Sequence, residues 1–500
     1  MTATDVRRFA YRQGPGRTLL NPPFAVDDAA LTTATLPPRA ARGDRGRPLP
    51  RDTWELLAGA RYPRWPVAAA TEPGQVLLAA FGLQRREPSN AFNDHRVIAS
   101  VRSKFPVHVF LVPHRGAAAY LDLYRHALVD LESPVVPDGL RPSAGSVAVV
   151  LAARYTDLPT GYARLRGALT ELEIGVNLRS LFTAADLFGV PARLQGAGSA
   201  REGRRLLAAS GAGAWSPPVT VTLDGLAPPP AVALPSAGDP PATRDSLLDE
   251  QAAHWSVSEA AAVAEHAFDL GGEAADAGHG LPVLAGGRPR DAAGGEMPSW
   301  ARVLWQRSAG RAPKGISGFT VTPCPVSSNC VADMAAFAST PAPSARLAEV
   351  GRRVRVSVAL QRVDGLPAGV YRLDAGELRS VRADPMVMTA IQGQFGYPLT
   401  PHGACGIRHS NAVWVLSADV NALITDLGPA GWTLLQRWCG WVAHGVCTAS
   451  AVHGLFARPA RSFDEHVLRN IMNLPDGQIP VFIIVCGRTL FAEPALDLRP

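Results

Sequence analysis

Apolar positions along this 500-residue chain fall into two kinds of run. Short β-rich stretches stand at Val107 to Val112 and at Val354 to Leu360. Each leads to a tyrosine, Tyr120 in YLDLYRHALVDL or Tyr371 in YRLDAGELRSV, and predicts strand, tyrosine, turn, strand. Two longer segments, Gly175 to Gly189 and Gly440 to Gly454, read as amphipathic helices closed by a glycine and followed by an extended segment from Val190 or Leu455. No run reaches the roughly 18 apolar residues of a membrane span. The N-terminal arginines Arg7, Arg8 and Arg12 have no apolar stretch behind them, so the expected location is cytoplasmic.

The two helical segments resemble each other. Setting GVNLRSLFTAADLFGVPAR on GWVAHGVCTASAVHGLFAR without gaps matches Gly175/Gly440, Thr183/Thr448, Ala184/Ala449, Gly189/Gly454, Ala192/Ala457 and Arg193/Arg458. About one or two matches are expected by chance at ordinary residue frequencies. The tyrosine segments echo in the same order, which predicts two copies of one α+β unit, at 51–222 and 298–500. The alternative is that alanine-rich helices converge in composition.

Between these units, 223–297 is rich in proline, glycine and alanine and predicts a linker. Within it Ser246 to Phe268 has helical spacing. Residues 1–50, rich in Arg, Pro and Gly, predict an extended arm.

Composition changes this picture little. The net charge of +6 is carried almost wholly by arginine in an Ala-, Gly- and Pro-rich chain, and no helix-turn-helix, RNP or zinc-finger pattern accompanies it, so no nucleic-acid partner is expected. The six cysteines all follow residue 320 without a C-x-x-C pair, which predicts reduced, mostly buried thiols and no metal. His444 and His453, nine residues apart, do not converge on one ion.

The motifs WQRSAGRAPKG (305–315), GLPAGVYRLDAGELRSV (365–381), GLFARPARSFDEHVL (454–468) and PVFIIVCGR (480–488), in that order, resemble the nitroreductase superfamily and its peptide azoline dehydrogenase branch. The N-terminal half carries a more degenerate version in ASVRSKFPVHVFLV (99–112), Tyr120 to Leu131 and YARLRGALTELEIGVNLRSLF (162–182). The resemblance implies an antiparallel sheet flanked by helices in each half, an intrachain pseudo-dimer, and FMN between the halves.

For the cofactor, the resemblance implies phosphate contacts from Arg307, Ser308, Arg311 and Arg488, residue types that suit a dianion through guanidinium fork and hydroxyl. It implies ring contacts from a loop of the opposite half, Ser100, Arg102 and Ser103, with Ser344 the counterpart in PAPSAR. It also implies a flavin-facing backbone segment at Ala457 to Arg461, with Arg458 and Arg461 named. No Arg-Ser motif stands before Trp54, so one flavin per chain is expected.

Azoline oxidation needs a base for the α-proton. The family's Lys-Tyr pair, spaced before Glu173-Ile174-Gly175, falls on Gly161 and Tyr162. The lysine is missing, which leaves Tyr162, alone or with Arg164 or Arg166 to lower its pKa. In the C-terminal half Tyr397 and His402 are nearby. The implied activity is oxidation of thiazolines or oxazolines in a ribosomally made precursor peptide, as in thiopeptide or linear azole peptide biosynthesis, with electrons passing to oxygen. A cyclodehydratase partner is implied, and a homodimer stays open. The rivals are an NAD(P)H-dependent reductase of a nitro, quinone or dehydroamino acid substrate, and a flavin-free peptide-binding scaffold.

Overall fold

The computed structural model describes residues 2–12, 38–41, 43–87, 94–132, 136–159, 162, 165–210, 214–235, 255–267, 269–270, 280–282, 296–310, 319, 321–395, 406–490 and 494–500. Two large antiparallel sheets hold most of the apolar runs. In the first, five strands (Val107–Pro113, Ala119–Asp122, Ala127–Asp130, Ser146–Ala153 and Val219–Asp224) share a sheet with Ala192–Leu194. In the second, their counterparts are Val354–Leu360, Gly369–Asp374, Glu377–Ala383, Ala412–Ala418 and Ile479–Thr489, with Phe456–Ala460 in the place of Ala192–Leu194. The spatial order of these six strands is the same in both sheets. The β-rich runs at Val107 and Val354 are indeed central strands. Every residue of Val107–Pro113 is buried, as expected of a strand covered on both faces.

In each half a long helix enters after the fourth of these strands: Leu165–Leu187 in the first and Gly431–Val452 in the second. The second is buried at every residue and the first at all but one, so neither shows a strong amphipathic stripe. They pack on each other at the two glycines that the repeat aligned. A Cβ on Gly175 would lie 2.7 Å from the Arg437 carbonyl carbon, and one on Gly440 would lie 2.9 Å from the Val176 nitrogen and 3.0 Å from the Leu172 carbonyl carbon. Gly175 and Gly440 are 265 residues apart (440 − 175), and so are their contacts Leu172 and Arg437 (437 − 172). The crossing is therefore related to itself by a pseudo-twofold, as in the isologous contact of a symmetric dimer. Backbone meets backbone there because neither glycine carries a side chain.

Beyond the repeat, the halves interlock. Arg45–Pro48, from the segment read as an arm, is a strand on the outer edge of Ala127–Asp130, and Val232–Ala233 from the segment read as linker pairs with it in turn. The matching edge of the second sheet, Glu377–Ala383, has no strand beside it among the described residues. Helix Ala3–Arg12 reaches the second half, where Arg7 Nη2 donates to Thr425 Oγ1 at 2.6 Å. The C-terminal strand Leu496–Asp497 crosses to the first half and pairs with Leu83–Arg86. In the linker, Trp255–Ala264 is helical and continues into a 3₁₀ turn, Glu265–Ala267, inside the predicted helical stretch. Residues 246–254 and 268 lie outside the described residues.

Charge also crosses the seam. Arg437 Nε donates to Glu171 Oε2 at 2.8 Å, and Tyr155 OH donates to Glu171 Oε1 at 2.9 Å, all three side chains being buried. No helix among the described residues is long and apolar enough to cross a membrane.

Candidate functional site

The seam beside this helix pair gathers most of the residues singled out in the sequence. Helix Trp300–Gln306 is capped by Ser299, whose side chain accepts from Arg302 N, and it ends at Arg307. Arg307 is 5% exposed and its Nη2 donates across the seam to the Arg96 carbonyl at 2.9 Å. Its Nε is buried without a partner. Burial pushes its pKa down to about 10, with the Cys447 thiol opposing that and the Arg85 guanidinium adding to it.

Ser308 and its neighbours are held from the second sheet. Ala457 N donates to the Ser308 carbonyl at 3.0 Å and Arg458 Nη1 to the Ala309 carbonyl at 3.0 Å. The Ser308 hydroxyl accepts from Gly310 N at 3.2 Å, which leaves its own O–H to donate. Gly310 takes a positive φ of 79°, where a side chain would be strained and would press on Phe456 and Phe319. Arg488 is exposed on the strand Ile479–Thr489, two residues beyond Cys486, the register partner of Ala457. Arg307, Ser308 and Arg458 thus meet at one sheet end, with Arg488 close by along the strand. Arg461 is buried deeper; its guanidinium stacks 5.2 Å from the Trp432 ring and Nη1 reaches Gln436 Oε1 at 3.3 Å. Arg311 lies outside the described residues.

On the facing half, the loop after strand Asp94–Arg96 is pinned by the long helix. Ser100 Oγ and Val101 N both donate to Glu173 Oε1, at 2.9 and 2.7 Å, and Phe105 N donates to Ser100 Oγ at 2.8 Å. Three non-glycine residues of this short loop, Arg102, Ser103 and Phe105, hold positive φ angles of 50°, 52° and 47°. Such angles are costly and persist where surrounding contacts over-determine them. Glu173 is the anchor the sequence reading passed over, treating it only as a spacing mark. Burial raises its pKa to about 7, against the opposing bonds from Val101 and Ser100, and Oε2 has no partner.

This loop carries the guanidinium that reaches Tyr162. Arg102 Nε donates to Tyr162 OH at 2.8 Å, with its charge 5.6 Å from the ring centre. Arg166 instead donates from Nε to the Pro159 carbonyl at 3.2 Å, and the same carbonyl accepts from Tyr162 N at 3.1 Å. Arg164, Gly161, Tyr397 and His402 lie outside the described residues. Ser344, the counterpart of the loop serines in the second half, is spent as a helix cap, accepting from Leu347 N at 3.3 Å and donating to the Leu270 carbonyl. His453 is paired with Asp333 at 2.8 Å, while His444 sits in the core, its pKa held down near 3 by burial and by Arg179 and Arg307. A trio lies close to Arg307, its carboxylate and arginine buried and its histidine partly so: Arg85 Nε donates to Glu87 at 2.9 Å and His95 meets the same carboxylate at 3.2 Å.

FMN would bring a phosphate dianion to this seam. The unpartnered Arg307 Nε–H, the free Ser308 O–H, the turn at Gly310, and the half-exposed Arg458 with exposed Arg488 suit such an anion.

No protein-family model matches the sequence, and no curated protein matches it. Among solved structures, a proposed nitroreductase of Anabaena variabilis aligns with 97% of this chain and 99% of its own, at 14% identity and a TM-score of 0.65. A chain of the microcin synthetase McbBCD complex of E. coli, solved with truncated pro-MccB17 bound, aligns with 36% of this chain and 71% of its own, at 13% identity and a TM-score of 0.29. A proposed nitroreductase of Ralstonia eutropha aligns with 42% and 98%, at 20% identity and a TM-score of 0.27. Only the first likeness is large enough to speak for the fold.

Proposed function

Starting from the nitroreductase-like fold that this chain has, we propose that it is an FMN-dependent oxidoreductase that converts thiazolines or oxazolines of a precursor peptide to thiazoles or oxazoles. The observation that carries the cofactor half of this reading is Arg307, a cation of one half that binds the backbone of the other and keeps a buried N–H without a partner. Azoline chemistry rests on the order of the motifs and on Tyr162 at its spacing before Glu173. The FMN phosphate is assigned to Arg307, Ser308, Arg458 and Arg488, and Arg311 completes that set in the sequence motif. Arg461, deeper in the core, supports the strand that carries Arg458.

When bound, FMN supplies the two-electron acceptor of the oxidation. The protein's task is then the proton. Tyr162 takes the α-proton of the ring at its phenolic oxygen, and the Arg102 guanidinium 2.8 Å away favours the phenolate that does so. Glu173, through Ser100 and Val101, fixes the backbone that aims Arg102. Ser103 belongs to that same loop. Arg164 and Arg166, named with Tyr162 in the sequence, are not needed to charge the phenol once Arg102 is there. A cyclodehydratase that makes the azoline is the partner this chemistry requires upstream.

One observation favours a second reading, a flavin-free peptide-binding scaffold. The buried Glu87 carboxylate offers Arg307 an internal counter-charge. Absorbance of the purified protein decides between them. Under the first reading it shows flavin bands, or gains them on mixing with FMN, and Arg307→Ala weakens FMN binding by about 10- to 100-fold, the worth of a charge-assisted bond. Mass spectrometry then finds two hydrogens lost per ring from an azoline peptide. A colourless protein that takes up no FMN, with Arg307→Ala changing nothing, sinks the enzyme reading. Rapid bleaching by NADPH without peptide points instead to the reductase.

A further inference from the structure

Arg166 stands in the first turn of the helix Leu165–Leu187 and is 0% exposed. Its Nε is spent on the Pro159 carbonyl at 3.2 Å, which aims the guanidinium back over the helix N-terminus. Both terminal nitrogens, Nη1 and Nη2, are buried without a hydrogen-bond partner. Burial pushes its pKa down to about 10, and no carboxylate among the described residues opposes it. Three other buried arginines each have a carboxylate, Arg437 with Glu171, Arg85 with Glu87 and Arg154 with Asp157 at 3.0 Å. Arg307, Arg179 and Arg461, which form no ion pair among the described residues, each donate from a terminal nitrogen, as Arg166 does not.

A buried cation without a counter-charge is costly, and proteins ordinarily pair such groups. The two open donors are the pair that a carboxylate engages end-on, one oxygen to each. The N-terminus of a helix of 23 residues adds positive potential at the same place. We infer that Arg166 and the N-terminus of its helix form a binding site for a carboxylate. A single positive side chain balances a monoanion, whereas a phosphate dianion calls for a second cation, and none among the described residues acts on Arg166. The site adjoins Tyr162, since Tyr162 N and Arg166 Nε share the Pro159 carbonyl. Its ligand is a free small carboxylic acid or an acidic residue of a bound peptide. The second source rests on the peptide reading above; the first does not.

Thermal unfolding of the full chain tests this. Sodium acetate, compared with sodium chloride at equal ionic strength, raises the melting temperature in a saturable way. Arg166→Met abolishes that response and itself melts higher than the wild type in the absence of acetate, because it removes the uncompensated charge. Arg166→Lys, which keeps the charge but not the fork, weakens the acetate midpoint at least tenfold and serves if the methionine variant does not fold. No acetate response in the wild type, a lower melting temperature for Arg166→Met without acetate, or a midpoint for inorganic phosphate tighter than that for acetate would each overturn the assignment. A Glu-containing peptide that binds more tightly than acetate, and more tightly than its Gln analogue, identifies a peptide source. Equal binding of the two peptides, with acetate still active, leaves the carboxylate site standing and removes the peptide.

Discussion

Alanine at either crossing glycine should cost far more than its one methyl group suggests. At Gly175 the added Cβ would lie 2.7 Å from the Arg437 carbonyl carbon, where ordinary contact begins at 3.4 Å. The Arg437 carbonyl oxygen would lie nearer still, so the two long helices would have to part by about 1 Å or more, and both are buried, so neither can swing outward. A radial gap of that size forfeits about a quarter to a half of the dispersion energy of the atoms lining the seam. Overpacking ordinarily costs about 1–3 kcal/mol, and this position belongs at or beyond the upper end. The same separation would relieve the clash at Gly440. The double variant Gly175→Ala/Gly440→Ala should therefore cost little more than either single one, a coupling of about 1–3 kcal/mol. Urea unfolding followed by tryptophan fluorescence reads this directly, since Trp432, Trp438 and Trp441 lie on the second helix. Gly59, with nothing within 4 Å of an added Cβ, is the control and should be near neutral. Single variants costing under about 0.5 kcal/mol, or a double that is simply additive, would refute the crossing as described.

Three further outcomes follow from the seam and its loop. Glu173 has a pKa of about 7 in the fold against an ordinary 4.5, so the folded protein binds this proton more tightly than the unfolded chain. Its contribution to stability is complete below pH 4.5 and is lost as the pH climbs through about 7; Glu173→Gln should remove a pH-dependent difference of about 2–3 kcal/mol from urea unfolding at pH 5 and pH 8, and parallel profiles would contradict it. Arg437→Met strands the buried Glu171 carboxylate and should cost about 3–5 kcal/mol, much of it recovered by adding Glu171→Gln; a loss under 1 kcal/mol would mean the pair is not formed. If the peptide reading holds, Tyr162→Phe should lower kcat by about 10²- to 10⁴-fold with flavin binding intact, and Arg102→Leu should move the rising, acid-side limb of kcat/KM to higher pH; an active Phe variant would remove Tyr162 from the chemistry.

What could be read from the chain was local or periodic. The β-rich runs, the C-terminal ends of the two helices at Gly189 and Gly454 and the match of Gly175 with Gly440 survive into three dimensions. The helices, however, begin at Leu165 and Gly431, ahead of the expected starts, and are buried all round rather than amphipathic because each packs against the other half. The strand Arg45–Pro48 was read as part of an arm because Arg-Gly-Arg-Pro has neither alternation nor β-branched residues; its pairing partner 80 or so residues on makes it a strand. The crossing of Leu496–Asp497 to the first half is likewise set by its partner. At the seam, residue types were legible but directions were not. Arg102 was read as a ring contact and is found on the Tyr162 phenol, and the carboxylate that orders its loop sits about 70 residues away on a buried helix. One signal was available: a glutamate within a fully apolar-packed helix rarely stays unpaired.

A two-chain assembly with a twofold axis inherits every mutation twice. Once the same contact joins two stretches of one gene, as Gly175 and Gly440 do here, that constraint ends everywhere except at the contact itself. One half can carry an Arg-Ser motif without the other, and one sheet edge can carry Arg45–Pro48 while the other has no strand beside it among the described residues. Covalent linkage also holds the halves at a high effective concentration, so losses that would dissociate a dimer are survivable. The glycine crossing is thus where the two halves keep the same contact in the same register, while around it the Arg-Ser motif belongs to the second half and the edge strand Arg45–Pro48 to the first.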